Sequence, residues 1–170
     1  MADPTSGTEY GAPEVDFALA AEIVPHVHLA NTRLLELQCQ FVPFVAIPEP
    51  PYTFGIETGV AWARRPDGFS YAIRVNVSVG PDSRPEDPFW TCSAAHDVSY
   101  MAEDADRFSD ESAIAFGMTS AVMTAWPYLR ETVQAMSARS GIAPVVLDVI
   151  RFVPGGAPQA QDGPSGAKNP

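Results

Sequence analysis

The middle of the chain alternates between apolar and polar residues with a period of two, which is typical of half-buried β-strands. The clearest run is YAIRVNVSV at residues 71–79, and similar patterns predict strands at residues 28–42, 54–65 and 89–101. In the first of these, one face is predicted to comprise Leu35, Leu37, Cys39 and Phe41. The turn sequence RPDG at residues 65–68 predicts a hairpin between the second and third strands. Three consecutive strands then form an antiparallel meander, which the first strand reaches through a proline-rich crossover.

A helical period follows the strands. Apolar residues recur at steps of three and four along one stripe, which comprises Ile114, Met118, Ala121, Ala125, Leu129, Val133 and Met136. The stripe keeps its phase past Pro127, so we predict one long helix over residues 110–138 that is bent at this proline. The alternative is that Pro127 occupies the first position of a second helix.

These elements predict an α+β domain, in which a four-stranded antiparallel sheet carries the long proline-bent C-terminal helix on one face. The domain is expected at residues 14–153, between disordered tails at 1–13 and 154–170 that are rich in Pro, Gly and polar residues. One helix covers about one face of a sheet, so Trp90, Val98 and Tyr100, together with the aromatic residues of the crossover, are expected to leave apolar surface for self-association or a hydrophobic partner. We expect the helical stripe to form the interface with another subunit.

The charge of the chain narrows the function classes. Ten Lys and Arg against 21 Asp and Glu give a net charge of −11, which argues against nucleic-acid binding. No apolar run approaches the roughly 20 residues that span a bilayer, and the acidic N-terminus lacks the layout of a signal peptide. Two cysteines, Cys39 and Cys92, are too few for a disulfide framework. We expect a cytoplasmic protein in which both are small core residues.

Candidate catalytic and metal-binding residues are sparse. His26 and His28 could supply two metal ligands, but no third ligand follows at a recognised spacing. His96 and Asp97 are adjacent on a predicted strand, so their side chains point to opposite faces and cannot form a base–carboxylate pair. We therefore predict no catalysis, no metal and no cofactor. The alternative of another class is a small-molecule-binding or enzymatic α+β domain, which would need polar groups that converge in a closed pocket.

Residues 126–149, WPYLRETVQAMSARSGIAPVVLDV, resemble the C-terminal signature of SecB, the bacterial export chaperone. The matching elements are the aromatic-Pro-Tyr at 126–128, Arg130 with Glu131, Met136 with Ser137, and the apolar APVVL at 143–147. The resemblance covers roughly residues 24–150, of which the helical part alone is specific. It implies an α+β chaperone that assembles as a homotetramer, a dimer of dimers, and holds unfolded or precursor polypeptides for the motor SecA, without cofactor or catalysis.

The chain departs from the SecB pattern in two places. Residues 153–156, VPGG, end regular structure where the family has a second C-terminal helix. Glu36 can correspond to one of the carboxylates on which SecA docks, but the matching position on the fourth strand falls near Cys92 or Ser93. Solitary SecB-like chaperones of actinobacteria stabilise antitoxins of toxin–antitoxin systems, so a single antitoxin client is the alternative to general client binding.

The proline-rich crossover is the candidate client-binding segment. Its apolar residues are Phe44, Val45, Ile47, Tyr52 and Phe54. The prolines at 48, 50 and 51 keep the segment extended, so its side chains can line a groove for extended apolar peptides. The alternative is that these residues only cover the open face of the sheet.

Overall fold

The computed structural model describes residues 16–42 and 47–150, and the two predicted tails lie outside this part of the chain. Within it, four strands form an antiparallel sheet: β1 (Val27–Phe41), β2 (Tyr52–Arg65), β3 (Gly68–Pro81) and β4 (Trp90–Ala102). Their order in the sheet is β1-β4-β3-β2. The predicted meander is therefore confirmed, and the crossover carries the chain from one edge strand to the other.

The predicted hairpin and the alternation in β3 are both confirmed. Arg65 pairs with Gly68, so Pro66 and Asp67 form the turn. Gly68 has a φ of 147°, and a Cβ there would collide with the carbonyl oxygen of Tyr100, so only glycine fits. Every second side chain of β3 is at most 2% exposed, and this buried row is Phe69, Tyr71, Ile73, Val75, Val77 and Val79.

The predicted alternation in β1 is wrong at Leu35. A register shift between Leu34 and Glu36 leaves Leu35 outside the ladder with β4. This is a β-bulge, in which one extra residue reverses the side to which the following positions point. Leu34, opposite His96, therefore shares the helix-facing side with Leu37, and Leu35 does not.

A long helical region covers one face of the sheet, and the short helix α1 (Phe17–Ile23) packs against the start of this region. α1 was not predicted from the sequence, and it begins where the Asp16 carboxylate accepts hydrogen bonds from the N–H groups of Ala18 and Leu19. The long helix is confirmed as a continuous span of α2 (Asp110–Phe116), a π-helical turn (Gly117–Ala121) and α3 (Val122–Arg139). None of the helices in the described part of the chain is long and apolar enough to cross a membrane.

Pro127 lies inside α3, so the alternative in which it begins a second helix is wrong. A proline in a helix leaves the carbonyl four residues before it without its N–H partner. Here that residue is Met123, which is exposed. Water can satisfy the free carbonyl, which explains how the helix tolerates the proline. The bend at this position stays a prediction.

The centre of the helical stripe is buried inside the subunit, and the expected role of the stripe as an oligomer interface stays a prediction. Ala121, Ala125, Leu129 and Val133 have no exposed surface. The other three stripe residues, Ile114, Met118 and Met136, are half-buried. The helix meets the buried row of β3 and β4 in its own chain, so the four fully buried residues are not accessible to a second subunit. Trp90, Val98 and Tyr100 are buried on the same side, so exposed apolar surface comes from other residues.

The π-helical turn begins where the helix touches β3 most closely. The Tyr71 hydroxyl donates a hydrogen bond to the carbonyl of Ala113 at 3.0 Å. A Cβ placed on Gly117 would lie 2.6 Å from the Tyr71 ring. Only a residue without a side chain lets the ring pack against the helix at this point, so the Tyr71–Gly117 contact sets the height of the helix above the sheet.

Replacing Gly117 by Ala is therefore expected to destabilise the fold by about 1–2 kcal/mol, because the clash exceeds the gain in helix propensity. Urea denaturation of the full chain measures the difference. Gly59→Ala is the matched control, since nothing lies within 4 Å of the point that its Cβ would occupy. Equal stability of the two variants would contradict the proposed contact.

Candidate functional site

Among the described residues of the crossover region, exposed apolar side chains are found on edge strand β2 and in the crossover itself. Phe54 and Ile56 sit opposite Val79 and Val77 on the helix-facing side of the sheet. The two β3 partners are buried, whereas Phe54 is 47% and Ile56 42% exposed. Ile47, in the crossover itself, is 41% exposed. We call these three residues, Ile47, Phe54 and Ile56, the crossover surface.

Tyr52 has a different environment from Phe54. Its hydroxyl donates a hydrogen bond to the carbonyl of Pro48 at 2.7 Å, and its ring meets Phe89 edge-on at 5.3 Å. The side chain is half-buried. Tyr52 therefore fastens the crossover to the loop before β4, which supports the covering role for this residue. Phe44 and Val45 lie outside the described residues, so their client-binding role stays a prediction.

A second apolar area lies between edge strand β1 and α3. It is a groove of about 300 Å³, lined by Leu34, Leu37, His96, Tyr128, Met136 and Arg139 among others. We call it the β1 groove. Leu34 and Tyr128 are close to half exposed. Large apolar side chains gathered along an uncovered strand edge are typical of a protein-binding surface.

His96 lies beneath this groove. Its ring stacks on Tyr128, with 5.5 Å between centroids and 18° between planes. The residue is buried, and its Nδ1 has no hydrogen-bond partner among the described residues. Burial lowers the pKa of the imidazole, because the charged form would lose its hydration.

The outer face of the sheet is polar, and two of its arginines are paired with carboxylates. Arg74 donates two hydrogen bonds to the carboxylate of Glu36, at 2.8 and 3.2 Å. Arg33 donates to Asp97 at 3.1 Å, and the same carboxylate accepts from the Ser70 hydroxyl at 2.7 Å. Glu36 is thus present on an accessible face but neutralised by Arg74. Its docking role stays a prediction.

A second concave site is a trough of about 430 Å³ on this outer face, and its lining includes Gln38, Gln40, Glu57, Asn76, Ser78 and Ser93. These are amides and hydroxyls with one carboxylate, not the converging base, nucleophile and anion-stabilising groups that catalysis requires. His96 and Asp97 lie on opposite faces, as predicted. No three His, Cys, Asp or Glu side chains cluster as metal ligands anywhere in residues 16–42 and 47–150.

Comparison with known proteins settles the fold. No family model matches the chain, and no curated protein matches it in sequence. Among solved structures, it is similar to Rv1957, a SecB-like chaperone of Mycobacterium tuberculosis, with a TM-score of 0.67 over 78% of this chain and 97% of that one. The chain has the SecB-like fold. The resemblance inferred from residues 126–149 is thereby confirmed for the fold, and the identity of 18% carries it no further.

Three residues of the two apolar surfaces, Ile56, Leu34 and Tyr128, are not among the site residues predicted from the sequence. Ile56 follows Phe54 by two positions on a predicted strand, and this spacing alone places both on one face. The sequence alternation places Leu34 on the opposite side from Leu37, and only the bulge at Leu35 brings both residues to the helix-facing side. Tyr128 belongs to the signature in the helix, but its stacking on His96 depends on a strand distant in sequence.

The buried His96 predicts a pH dependence of stability. The unfolded chain binds its proton with a pKa of about 6.5, and the folded chain binds it less readily. This contribution to stability is complete above about pH 6.5 and is lost as the pH falls below that value. We expect the melting temperature to fall more steeply between about pH 7.5 and pH 5 in the wild type than in His96→Phe.

Phenylalanine keeps the stacking on Tyr128 but cannot take up a proton. The other charged groups that line the groove, Glu131 and Arg139 of α3, are the same in both proteins, while β1 contributes the uncharged Leu34 and Leu37. The difference between the two pH profiles therefore isolates His96. Parallel profiles would refute the assignment.

Proposed function

We propose that this SecB-like chain is an ATP-independent chaperone, a cytoplasmic holdase that binds non-native polypeptides without performing catalysis. The observation that carries the proposal is the crossover surface, where Phe54 and Ile56 stay almost half exposed on an edge strand. Solvent-exposed apolar pairs of this kind offer binding energy to any chain that can cover them. The SecB-like fold, known for a chaperone, supports the same conclusion.

The geometry of β2 indicates how a client would bind. β2 pairs with β3 along one side, and no strand of the described residues pairs with its other side. An extended client can add to such an edge through backbone hydrogen bonds, while alternate side chains meet Phe54 and Ile56. Backbone pairing is independent of sequence, so it suits clients that share only an unfolded state. Binding lowers the free concentration of aggregation-prone chains by mass action.

The test is suppression of aggregation by the full chain, measured on several unrelated unfolded proteins. We expect protection by the wild type and about tenfold weaker client affinity in Phe54→Ser, because a half-exposed aromatic ring contributes roughly 1–1.5 kcal/mol when a partner covers it. The control is Val24→Ser, which removes an equally exposed apolar side chain before β1.

Melting temperatures of both variants should match the wild type, because neither side chain is buried. Absence of protection by the wild type would contradict the chaperone function and favour the small-molecule alternative. Equal weakening in Phe54→Ser and Val24→Ser would instead displace the binding site from the crossover surface.

A dedicated role for one antitoxin is the second candidate. The observation in its favour is that the similar chaperone of Mycobacterium tuberculosis was solved in complex with a ChAD peptide from the HigA1 antitoxin. Protection of one client among many would support this role over general holding. Delivery to SecA would depend on Glu36, whose carboxylate would have to exchange its ion pair with Arg74 for contacts with the motor.

We further propose that the chain dimerises through the β1 side of the molecule, and that two such dimers form a homotetramer. β1 is the other edge strand, and Leu29, Leu34 and Leu37 are each exposed by more than a third. An uncovered edge with apolar side chains pairs readily with a second copy. The groove beside α3 would then receive side chains of the partner subunit.

Replacing Leu34 by Asp is expected to yield a smaller assembly than the wild type in sedimentation at micromolar concentration, because a carboxylate would be buried in the β1 interface. The subunit itself should remain folded, since Leu34 is 47% exposed in the single chain. Leu129→Asp is the contrast, because its position is fully buried within the subunit and its substitution should unfold the protein. A wild type that sediments as a monomer, or a Leu34→Asp variant that sediments like the wild type, would refute this interface.

A further inference from the structure

The two cysteines face each other across β1 and β4. Cys39 is directly opposite Cys92 in the antiparallel register, and their sulfur atoms are 3.0 Å apart. Opposed residues of an antiparallel pair have Cα atoms about 4.5–5.5 Å apart, which lies within the roughly 4.4–6.8 Å that a disulfide spans. The backbone therefore needs no rearrangement for the two sulfur atoms to bond.

We propose that Cys39 and Cys92 are a reversible redox pair, a modification site at which a disulfide joins edge strand β1 to β4. Both thiols are free in the structure. The pair differs from two isolated core thiols because each side chain has the other as its sulfur neighbour. This inference is independent of the proposed function, since it requires only the strand register and the position of the thiols.

The difference in burial between the two side chains indicates which thiol reacts first with an oxidant. Cys39 is half-buried on the edge strand, whereas Cys92 is buried on an inner strand. Burial and the contact with Cys39 raise the pKa of the Cys92 thiol to about 12, so little of it is ionised at neutral pH. Cys39 is therefore the thiol that meets a soluble oxidant, and Cys92 resolves the product.

The oxidant we assign is a low-molecular-weight disulfide such as oxidised glutathione. The Cys39 thiolate attacks one of its sulfur atoms, a mixed disulfide forms, and one glutathione leaves as a thiolate. The Cys92 sulfur then attacks Cys39, the mixed disulfide bond breaks, and the second glutathione leaves with the proton that Cys92 releases. Two protein thiols are oxidised by two electrons, and one oxidant disulfide is reduced to two thiols.

The position of the pair connects this bond to the crossover. β1 ends at Phe41, two residues after Cys39, and the crossover follows. Cys39 and Cys92 are 53 positions apart, so the bond would close a loop that includes β2, β3 and the crossover surface. Closing a loop of this length restricts the unfolded chain and stabilises the folded one.

The experiment equilibrates the native full chain with oxidised glutathione and measures intact mass. We expect the wild type to lose two hydrogens, with full reversal by dithiothreitol. Cys92→Ser should hold one glutathione on Cys39, because the resolving thiol is missing. Cys39→Ser should remain unmodified, because Cys92 is buried. The oxidised wild type should melt roughly 10 °C higher than the reduced wild type.

Circular dichroism of both serine variants establishes that they are folded before modification. Wild-type thiols that stay free, or that keep glutathione without forming the internal bond, would overturn the proposal. Modification of Cys92 in Cys39→Ser would overturn the assigned order of attack. A melting temperature that does not change on oxidation would overturn the role of the bond as a tether between β1 and β4.

Discussion

The burial of one row of side chains on β3 determines the rest of the structure. The row runs from Phe69 to Val79, and it lies under the helical span that begins at Asp110. Close packing at Tyr71 and Gly117 fixes where the helix crosses the sheet. A single helix can cover the two inner strands but not both edges. The apolar residues that remain exposed on the sheet are therefore found mainly on β1 and β2, and these two edges are where we place assembly and client binding.

The opposite face of the sheet is polar, and we place neither assembly nor client binding there. Two of its arginines, Arg33 and Arg74, are each paired with a carboxylate of the same sheet. Exposed ion pairs of this kind contribute little to stability, but they offset part of the charge that would attract a charged partner. Part of the charge on this broad polar surface is thus balanced within the sheet. Recognition of polypeptides through apolar edge strands fits this distribution better than recognition through charge.

Sequence periodicity predicted most of the fold because it reports local geometry. The strand at 71–79 and the hairpin at 65–68 follow from alternation and turn chemistry, and the continuous helix follows from the phase kept past Pro127. The periodicity of the helical stripe does not indicate which part of the protein packs against it. Periodicity shows that Leu129 is buried, and the chain's own sheet, not a second subunit, buries it.

The remaining differences arise from contacts between segments distant in sequence. The bulge at Leu35 depends on its pairing with β4, and the anchoring of Tyr52 depends on Phe89. The short helix α1 carried a local signal, an Asp at position 16 before an apolar run, but too few residues to establish a period. The sequence thus predicted the crossover segment as the candidate site without distinguishing its residues. The structure shows that Phe54 is exposed, whereas Tyr52 is anchored to Phe89.

The central claim is that a non-native polypeptide occupies the free edge of β2. Amide hydrogen exchange of the full chain, with and without a saturating unfolded client, tests it most directly. The account predicts slower exchange in the bound state within β2, centred on residues 54–56, and unchanged exchange on the inner strand β4. Client binding that slows exchange elsewhere and leaves β2 unchanged would contradict it.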